Sequence, residues 1–482
     1  MRKRALSLSL ILLIPLLTLA QDGSKVELKN LAPVSKDVLR VNLPRATEAT
    51  LSNGLTVLIM ENHRLPLVSI QYNISGAGPL YEPSDSIGLA GITAQMMRQG
   101  TKTRAAPQLA EDLARLGANL TVNSGFGSSA ATISASGLSD NFDEWFALTN
   151  DVLLNPSFPA DELERLKQRM RVTLRQQRTS AQFLASERFA RAVFGDHPAG
   201  NVSAALGTID SVTPEAMAKW HREQYSPQNS ILGITGDVKA SELVPKLEKM
   251  LAAWKRTDLK EVLPANPKPV ATRIVHLVNR PNSVQTSLFI GNLAIDRRDP
   301  DYIPLAVANY VLGGGASGRL FLNLREEKGY TYGAYSTFSA LKYPGRWLVY
   351  ADARTEVTEG TMTEFVREIE RMRNEAVPAA ELDVAKRAIT ASFALSLEDK
   401  DQLLNYGVIQ KLYGYPDDYW DTYPAKITAV TAADIQRVSQ RYMKLEALQI
   451  VAVGDAAKIR PVLEKYGPIE LYDADGNKVS SN

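Results

Sequence analysis

Four histidines, His63, His197, His221 and His276, are the only imidazoles in the 482-residue chain. No two stand three or four residues apart, so no helix can bring a pair of them to one metal. No Gly-x-Ser-x-Gly elbow is present to suggest a serine triad. Cysteine is absent, which removes thiolate metal sites and disulfides together. Two other stretches hold residues that could contact a ligand. Gly313 to Gly318, GGGASG, satisfies the letter of a dinucleotide loop. That loop needs a strand before it, whereas DYIPLAVANYVL carries its apolar residues at helical spacing. No Lys-Ser or Lys-Thr follows to make a P-loop, so Gly313, Gly314 and Gly315 read either as a tight turn or as bare backbone that a substrate can approach. Next comes RLFLNLREEKGYTYGAYS, in which a short amphipathic helix ends near Gly329 and a strand follows. Period two puts Tyr330 and Tyr332 on one strand face and Tyr335 on the other. Arg325 is then a solvated charge or a ligand contact, and the tyrosines are sheet core or an exposed aromatic patch.

The elements that must carry these residues alternate between strand-like and helix-like patterns. Leu55 to Asn62 and Leu67 to Gly76 alternate apolar residues on either side of a turn at His63 to Pro66, which predicts an antiparallel pair. Gly88 to Thr101, GLAGITAQMMRQGT, predicts an amphipathic helix with Leu89, Ile92 and Met96 turned to a core. On that helix Gly91, Ala94 and Gln95 fall side by side. A second helix over Pro107 to Leu116 stops at Gly117. Two strands within 119–138 and helices from Phe142 and Asp161 complete the unit.

The unit then recurs. FPADELERLK, with Pro159 and Lys167, is matched by VPAAELDVAK, with Pro378 and Lys386; Gly195 in FGDHP is matched by Gly414 in YGYP; all share an offset of 219 residues. Gly236 and Asp237 align with Gly454 and Asp455 at 218. So long a period is a duplicated domain and not a solenoid repeat. Thr213 before Pro214, and Thr431 with Asp434, provide matching helix caps in the two copies. Between the copies EVLPANPKPVATR holds Pro264, Pro267 and Pro269, a stiff linker. The expected division is a first domain over 46–255, a linker over 256–272 and a second domain over 273–482.

The chain opens MRKR, runs apolar from Ala5 to Ala20 and turns polar at Gln21. This is a signal peptide, residues 1–20, with small residues before the cut; an uncleaved anchor is the alternative. Residues 21–45 form a polar N-terminal extension. The expected destination is export to a bacterial periplasm. Arg2, Lys3 and Arg4 account for the small excess of 55 basic over 53 acidic residues. The remainder is near neutral and gives no electrostatic reason to bind nucleic acid.

Together these features resemble the pitrilysin/insulinase family of zinc peptidases, across about residues 46–460. Family members carry Gly-Leu-Ala-His-x-x-Glu-His-Met-x-x-x-Gly-Thr, and this chain keeps Gly88, Leu89, Ala90, Met96, Gly100 and Thr101. At the two histidines and the glutamate stand Gly91, Gln95 and Ala94. The family's third ligand, a glutamate, falls by alignment on or beside Thr173, and no acidic residue lies between Glu164 and Glu187. The resemblance implies an α+β fold of two duplicated domains, each a mainly antiparallel sheet with helices packed on it. It implies no zinc in this chain. It also matches Arg325 and Tyr332 to an Arg–Tyr pair that the family's second domain sets against substrate at the metal. The glycine loop resembles, in shorter form, the substrate loop of the non-catalytic subunit of mitochondrial processing peptidase. The implied function is a non-catalytic, substrate-binding subunit whose Arg325 and Tyr332 complete the site of a homologous zinc-bearing partner for peptide hydrolysis. A homodimeric or assembly-bound peptide-binding protein with no enzymatic role is the alternative.

Overall fold

The computed structural model describes residues 38–257 and 259–479. The expected signal peptide and most of the N-terminal extension lie outside the described residues. From Leu39 onward the chain packs as one compact unit. Its first half forms strands β1 (Thr47–Thr50), β2 (Thr56–Glu61), β3 (Leu67–Ser75), β4 (Asn119–Asn123), β5 (Ala130–Leu138) and β6 (Ser230–Gly236). The second half forms β7 (Ile274–Asn279), β8 (Gln285–Leu293), β9 (Thr331–Phe338), β10 (Arg346–Arg354), β11 (Gln449–Gly454) and β12 (Ile469–Tyr472). These make two six-stranded sheets, ordered β1-β2-β6-β3-β5-β4 and β12-β7-β11-β8-β10-β9. Most neighbours are antiparallel, but β6 runs parallel to β2, and β11 and β12 run parallel to β7.

The expected pairing of β2 with β3 is corrected by this order. β6 lies between them, parallel to β2 and antiparallel to β3. Its sequence SILGITG is buried at every position, as a central strand covered on both faces must be. Alternating apolar residues report which face of a strand is buried and are silent about which strand is its neighbour.

One face of each sheet packs on helices of its own half. In the first half Val57, Ile59, Ile70, Tyr72 and Ile234 meet Trp145, Phe146 and the helix Leu89–Met97. In the second half Val275, Ile290, Val349 and Ile450 meet Phe365, Ile369 and the helix Tyr302–Gly313. The opposite faces are covered by exchange. Helix Ala181–Phe194 of the first half lays Leu184, Phe189 and Val193 on Val278, Val451 and Val453 of the second sheet. Helix Lys400–Tyr413 of the second half lays Leu404 and Val408 on Leu58 and Ile231 of the first. Both ends of these two helices differ by 219 residues, as do the ends of Ala160–Gln177 and Ala379–Ser396. The duplication is therefore visible as geometry. The linker residues described have neither helix nor strand. No helix among the described residues is long and apolar enough to cross a membrane.

Candidate functional site

Helix Leu89–Met97 starts at Gly88, whose φ of +108° lies in the left-handed region. A Cβ at Gly88 would come within 2.4 Å of the Ala204 side chain, so glycine is required on both counts. Gly88 has no side chain to cap the helix. The Glu82 carboxylate takes that role, accepting from the Gly88 N–H at 2.8 Å and the Ala90 N–H at 2.6 Å. Burial raises the Glu82 pKa to about 7, against the opposing pull of those two N–H donors. Leu89, Ile92 and Met96 point to the core as the spacing predicts.

The positions aligned with metal ligands carry no imidazole, thiolate or carboxylate. Gly91 offers no side chain, and a Cβ there would press on the Ser124 carbonyl at 3.3 Å. Ala94 is a fully buried methyl. Gln95 is an exposed neutral amide. Thr173 is exposed on Ala160–Gln177, whose inward residues are Leu163, Leu166 and Met170. Among the described residues no three His, Cys, Asp or Glu side chains converge as a metal site. Three of the histidines are otherwise engaged, and His197 accepts from the Ala199 N–H at 3.1 Å through Nδ1. His221 bonds the Leu153 carbonyl at 2.7 Å, and burial lowers its pKa to about 4. His276 bonds Gln449 at 3.1 Å. His63, on the surface, bonds Asp237 at 2.7 Å, and this bond holds its pKa above the ordinary value.

The second-half segment is built differently. Helix Tyr302–Gly313 runs into the glycine turn and then into a helical stretch from Arg319 that widens to a π-helical turn over Leu322–Glu327. The sequence pattern predicts an ordinary α-helix there. Two buried polar anchors hold the wider turn. Arg319 forks onto Glu381 at 2.7 and 2.9 Å, and Asn323 donates to Glu364 at 2.7 Å and Glu368 at 2.9 Å. Such turns inside helices concentrate at functional sites. Arg325 sits on this turn with its side chain 47% exposed and 3.6 Å from Glu326. Its guanidinium lies 4.8 Å from the Phe321 ring centroid. Phe321 in turn packs against Tyr335, and Tyr335 against Tyr350.

Tyr332 is 90% exposed. Its neighbourhood corrects the expected tyrosine parity. Ala334 pairs with Ala351 and Thr331 with Ala353, so β9 carries one extra residue at Tyr332–Gly333. This β-bulge breaks the period of two and re-aims side chains. Tyr330, just before β9, is half-buried on the second-half core, while Tyr332 on the edge strand stands free. Gly333 allows the turn, because a Cβ there would meet the Tyr335 ring at 2.7 Å. No hydrogen bond to the Tyr332 phenol is present among the described residues.

The glycine turn divides. A Cβ on Gly313 would meet the Ser336 backbone N at 2.6 Å, and one on Gly314 the Tyr310 Cα at 2.7 Å. Packing explains both. A Cβ on Gly315 would find only the Tyr310 hydroxyl, at 3.5 Å, so packing does not require a glycine there.

Residues 56–204 match the family described as Insulinase (Peptidase family M16). Residues 211–389 match that described as Peptidase M16 inactive domain. The chain belongs to the M16 insulinase family. An uncharacterized zinc protease of Rickettsia bellii is 27% identical over 415 residues, covering 83% of this M16 chain and 96% of that protein. One from Rickettsia felis is 26% identical, covering 80% and 92%. Among solved structures, a peptidase M16 inactive domain from Pseudomonas fluorescens superposes with a TM-score of 0.79 at 25% identity, covering 85% of this chain and 98% of that one. A protease from Helicobacter pylori superposes at 0.78 and 20% identity, covering 86% and 100%. The fold is thus the two-domain α+β fold of M16 proteins. The protein is an M16 peptidase homologue with an inactive-type domain. Outside the expected residues, an M16 position that sequence reading passed over is Glu82. Five arginines are others: Arg171, Arg175 and Arg178 along one helix end, and Arg188 and Arg191 on the next. The four- and three-residue spacing of the first three in RMRVTLRQQR, and the three-residue spacing of the other two in ERFARAVF, is the available signal.

Proposed function

We propose that this protein is a non-catalytic, substrate-binding subunit that completes the active site of a zinc-bearing M16 partner for peptide hydrolysis. The observation that carries the reading is the display of Arg325 and Tyr332. Both sit on locally irregular backbone, a π-helical turn and a β-bulge, and both project outward. The fold holds the turn under Arg325 through Arg319 and Asn323 without consuming Arg325 itself. An exposed guanidinium and phenol are donors suited to a peptide carbonyl or the oxyanion that develops on it. The first-half helix lacks the groups to supply a metal site, so such donors need a site from elsewhere. Arg325 would clamp the substrate carbonyl and Tyr332 would donate to the same oxygen as charge grows on it. Gly315 is the loop position free to meet substrate backbone. The zinc in this reading belongs to the partner, a homologue with an intact His-x-x-Glu-His helix. The MRKR start and apolar run to Ala20 support export of this chain to the periplasm.

The test is isolation of the native complex and assay of its peptidase activity with Arg325→Ala or Tyr332→Phe in this chain. A loss of roughly 10²–10³ in kcat for Arg325→Ala is expected, the scale of removing one oxyanion donor. Unchanged activity in both variants removes the complementation. Isolation as a homodimer with no zinc-bearing homologue favours a peptide-binding or structural role.

A further inference from the structure

A cleft of about 750 Å³ opens beside Ile87, just ahead of helix Leu89–Met97. Its walls are the last turns of Ala160–Gln177, the helix Ala181–Phe194 and the loop 200–206. The charge in it is unbalanced. Arg171, Arg175, Arg178 and Arg191 line it against two carboxylates, Glu187 and Asp475. Arg171 is held by Asp210 at 2.7 Å, and Arg178 by Glu187, Nη2 to Oε1, at 2.8 Å. Arg175 and Arg191 make no ion pair among the described residues; Arg175 reaches only the Arg171 carbonyl, at 3.4 Å. An adjoining pocket of about 220 Å³ shares Arg178 and Arg191 and adds Arg188. The Arg188 Nε is buried without a partner among the described residues, and its guanidinium lies 4.2 Å from the Tyr472 ring centroid. The turn 473–476 closes this side, with Arg178 donating to the Ala474 carbonyl at 3.5 Å. Both halves of the chain therefore build the cleft.

Guanidinium groups stay charged at any accessible pH and recognise carboxylates through paired N–H donors. Arg175 and Arg191 line the cleft without an ion pair, while the adjoining pocket sets Glu187, Asp473 and Asp475 against its three arginines, so the anion site lies on the Arg175 and Arg191 side. The remaining wall mixes the polar Asn201 and Ser203 with the apolar Ile87, Leu174 and Val202, and Leu206 is 53% exposed at its edge. Inorganic phosphate would leave this apolar surface unused; an apolar residue next to a carboxylate would cover it. We propose that the cleft binds the carboxylate of a peptide, seating an adjacent apolar side chain on Leu174 and Leu206. The choice of a peptide rests on the reading of the chain as a peptide-binding homologue; the choice of a carboxylate rests on the arginines. A peptide terminus and an acidic side chain present the same chemistry to the site.

The test is calorimetric titration of the purified full chain, without any partner, with three peptides: acetyl-Ala-Leu-Leu as the free acid, the same peptide amidated, and acetyl-Glu-Leu-Leu amide. The free acid binding more than about tenfold tighter than both amides assigns a chain terminus, and the glutamate peptide binding as well as the acid assigns any acidic group; either supports the cleft. Arg175→Ala with Arg191→Ala is expected to weaken the preferred peptide by at least about tenfold, and Asp475→Asn, which removes a like charge at the mouth, to tighten it. Equal affinity for the neutral amide, or phosphate binding tighter than every peptide, overturns the proposal. So does an unchanged affinity in the double variant. If the double variant fails to fold, Asp475→Asn decides alone, tighter binding supporting and unchanged binding overturning. The titration uses the chain alone, with no zinc-bearing partner and no peptidase readout, so failure here and failure of the complementation reading are separate results.

Discussion

The two halves offer the same scaffold and differ in how regular the backbone is at the matched segments. In the first, the helix that family members use for metal is intact, capped by Glu82 and packed, with Ala94 sealed in the core. In the second, the backbone around Arg325 and Tyr332 departs from regular helix and strand, and both side chains face out. The sheet faces that the exchanged helices cover differ in the same sense. Ser69, Gln71, Thr121, Ser134 and Ser136 make the first one small and polar around a pocket of about 280 Å³. Phe289, Tyr350 and Tyr335 make the second an aromatic strip that continues to Phe321 and the Arg325 guanidinium. One side is an ordered helix without metal-ligating side chains, whereas the other side carries irregular backbone, which costs stability. Regularity is what packing alone produces; irregular geometry with buried anchors beneath it is the more informative sign of use.

The comparison assumes two halves that stand or fall together, and the exchanged helices give the strongest way to break it. Phe189 is fully buried between its helix and the second sheet. Phe189→Ala is expected to cost about 3–5 kcal/mol. Leu404→Ala, on the mirror contact against Gly233, is expected to cost about 2–5 kcal/mol and to sit at the lower end, since that contact is smaller. Calorimetric unfolding of either variant should show one transition moved as a whole. Two transitions with only one displaced would mean independent halves.

A milder pair sharpens the assignment inside the glycine turn. Gly313→Ala forces a methyl against the Ser336 backbone N at 2.6 Å and is expected to lower stability by about 1–3 kcal/mol. Gly315→Ala meets only the Tyr310 hydroxyl at 3.5 Å and is expected to leave thermal unfolding within experimental error. If Gly315→Ala then lowers peptidase activity of the complex, the loop touches substrate there; if both variants only destabilise, the whole turn is packing.

Periodicity made most of the scaffold readable in advance. The 219-residue offset became matching helix ends, and Thr213 and Thr431 cap as their residue types suggest, the second with a full capping box through Asp434. What escaped were features set by non-local partners. The insertion of β6 between β2 and β3 depends on strands about 170 residues apart in the chain. The helix exchange is equally invisible to a pattern that reports only one buried face. The bulge at Tyr332 depends on the register of β10, which no local pattern holds.

The smallest expected effect probes the quiet side of the comparison, the cap under the first-half helix. Burial raises the Glu82 pKa from 4.5 in the unfolded chain to about 7 in the fold. A carboxyl whose folded pKa is raised adds stability that is complete below the unfolded value and disappears as pH rises through the folded one. Wild-type stability relative to Glu82→Gln, which cannot titrate, should therefore fall between about pH 4.5 and 7 and be flat outside that window. The difference between the two proteins is the quantity to follow, because His221, with its pKa lowered to about 4 by burial, gives stability that rises with pH over much of the same range. The His221 contribution is common to both proteins and cancels. A constant difference from pH 4 to 8 in chemical unfolding would mean that the Gly88 and Ala90 N–H groups offset burial and leave Glu82 titrating at its unfolded value, ionised at neutral pH. The helix would then be capped by a full negative charge, as a helix N-terminus favours.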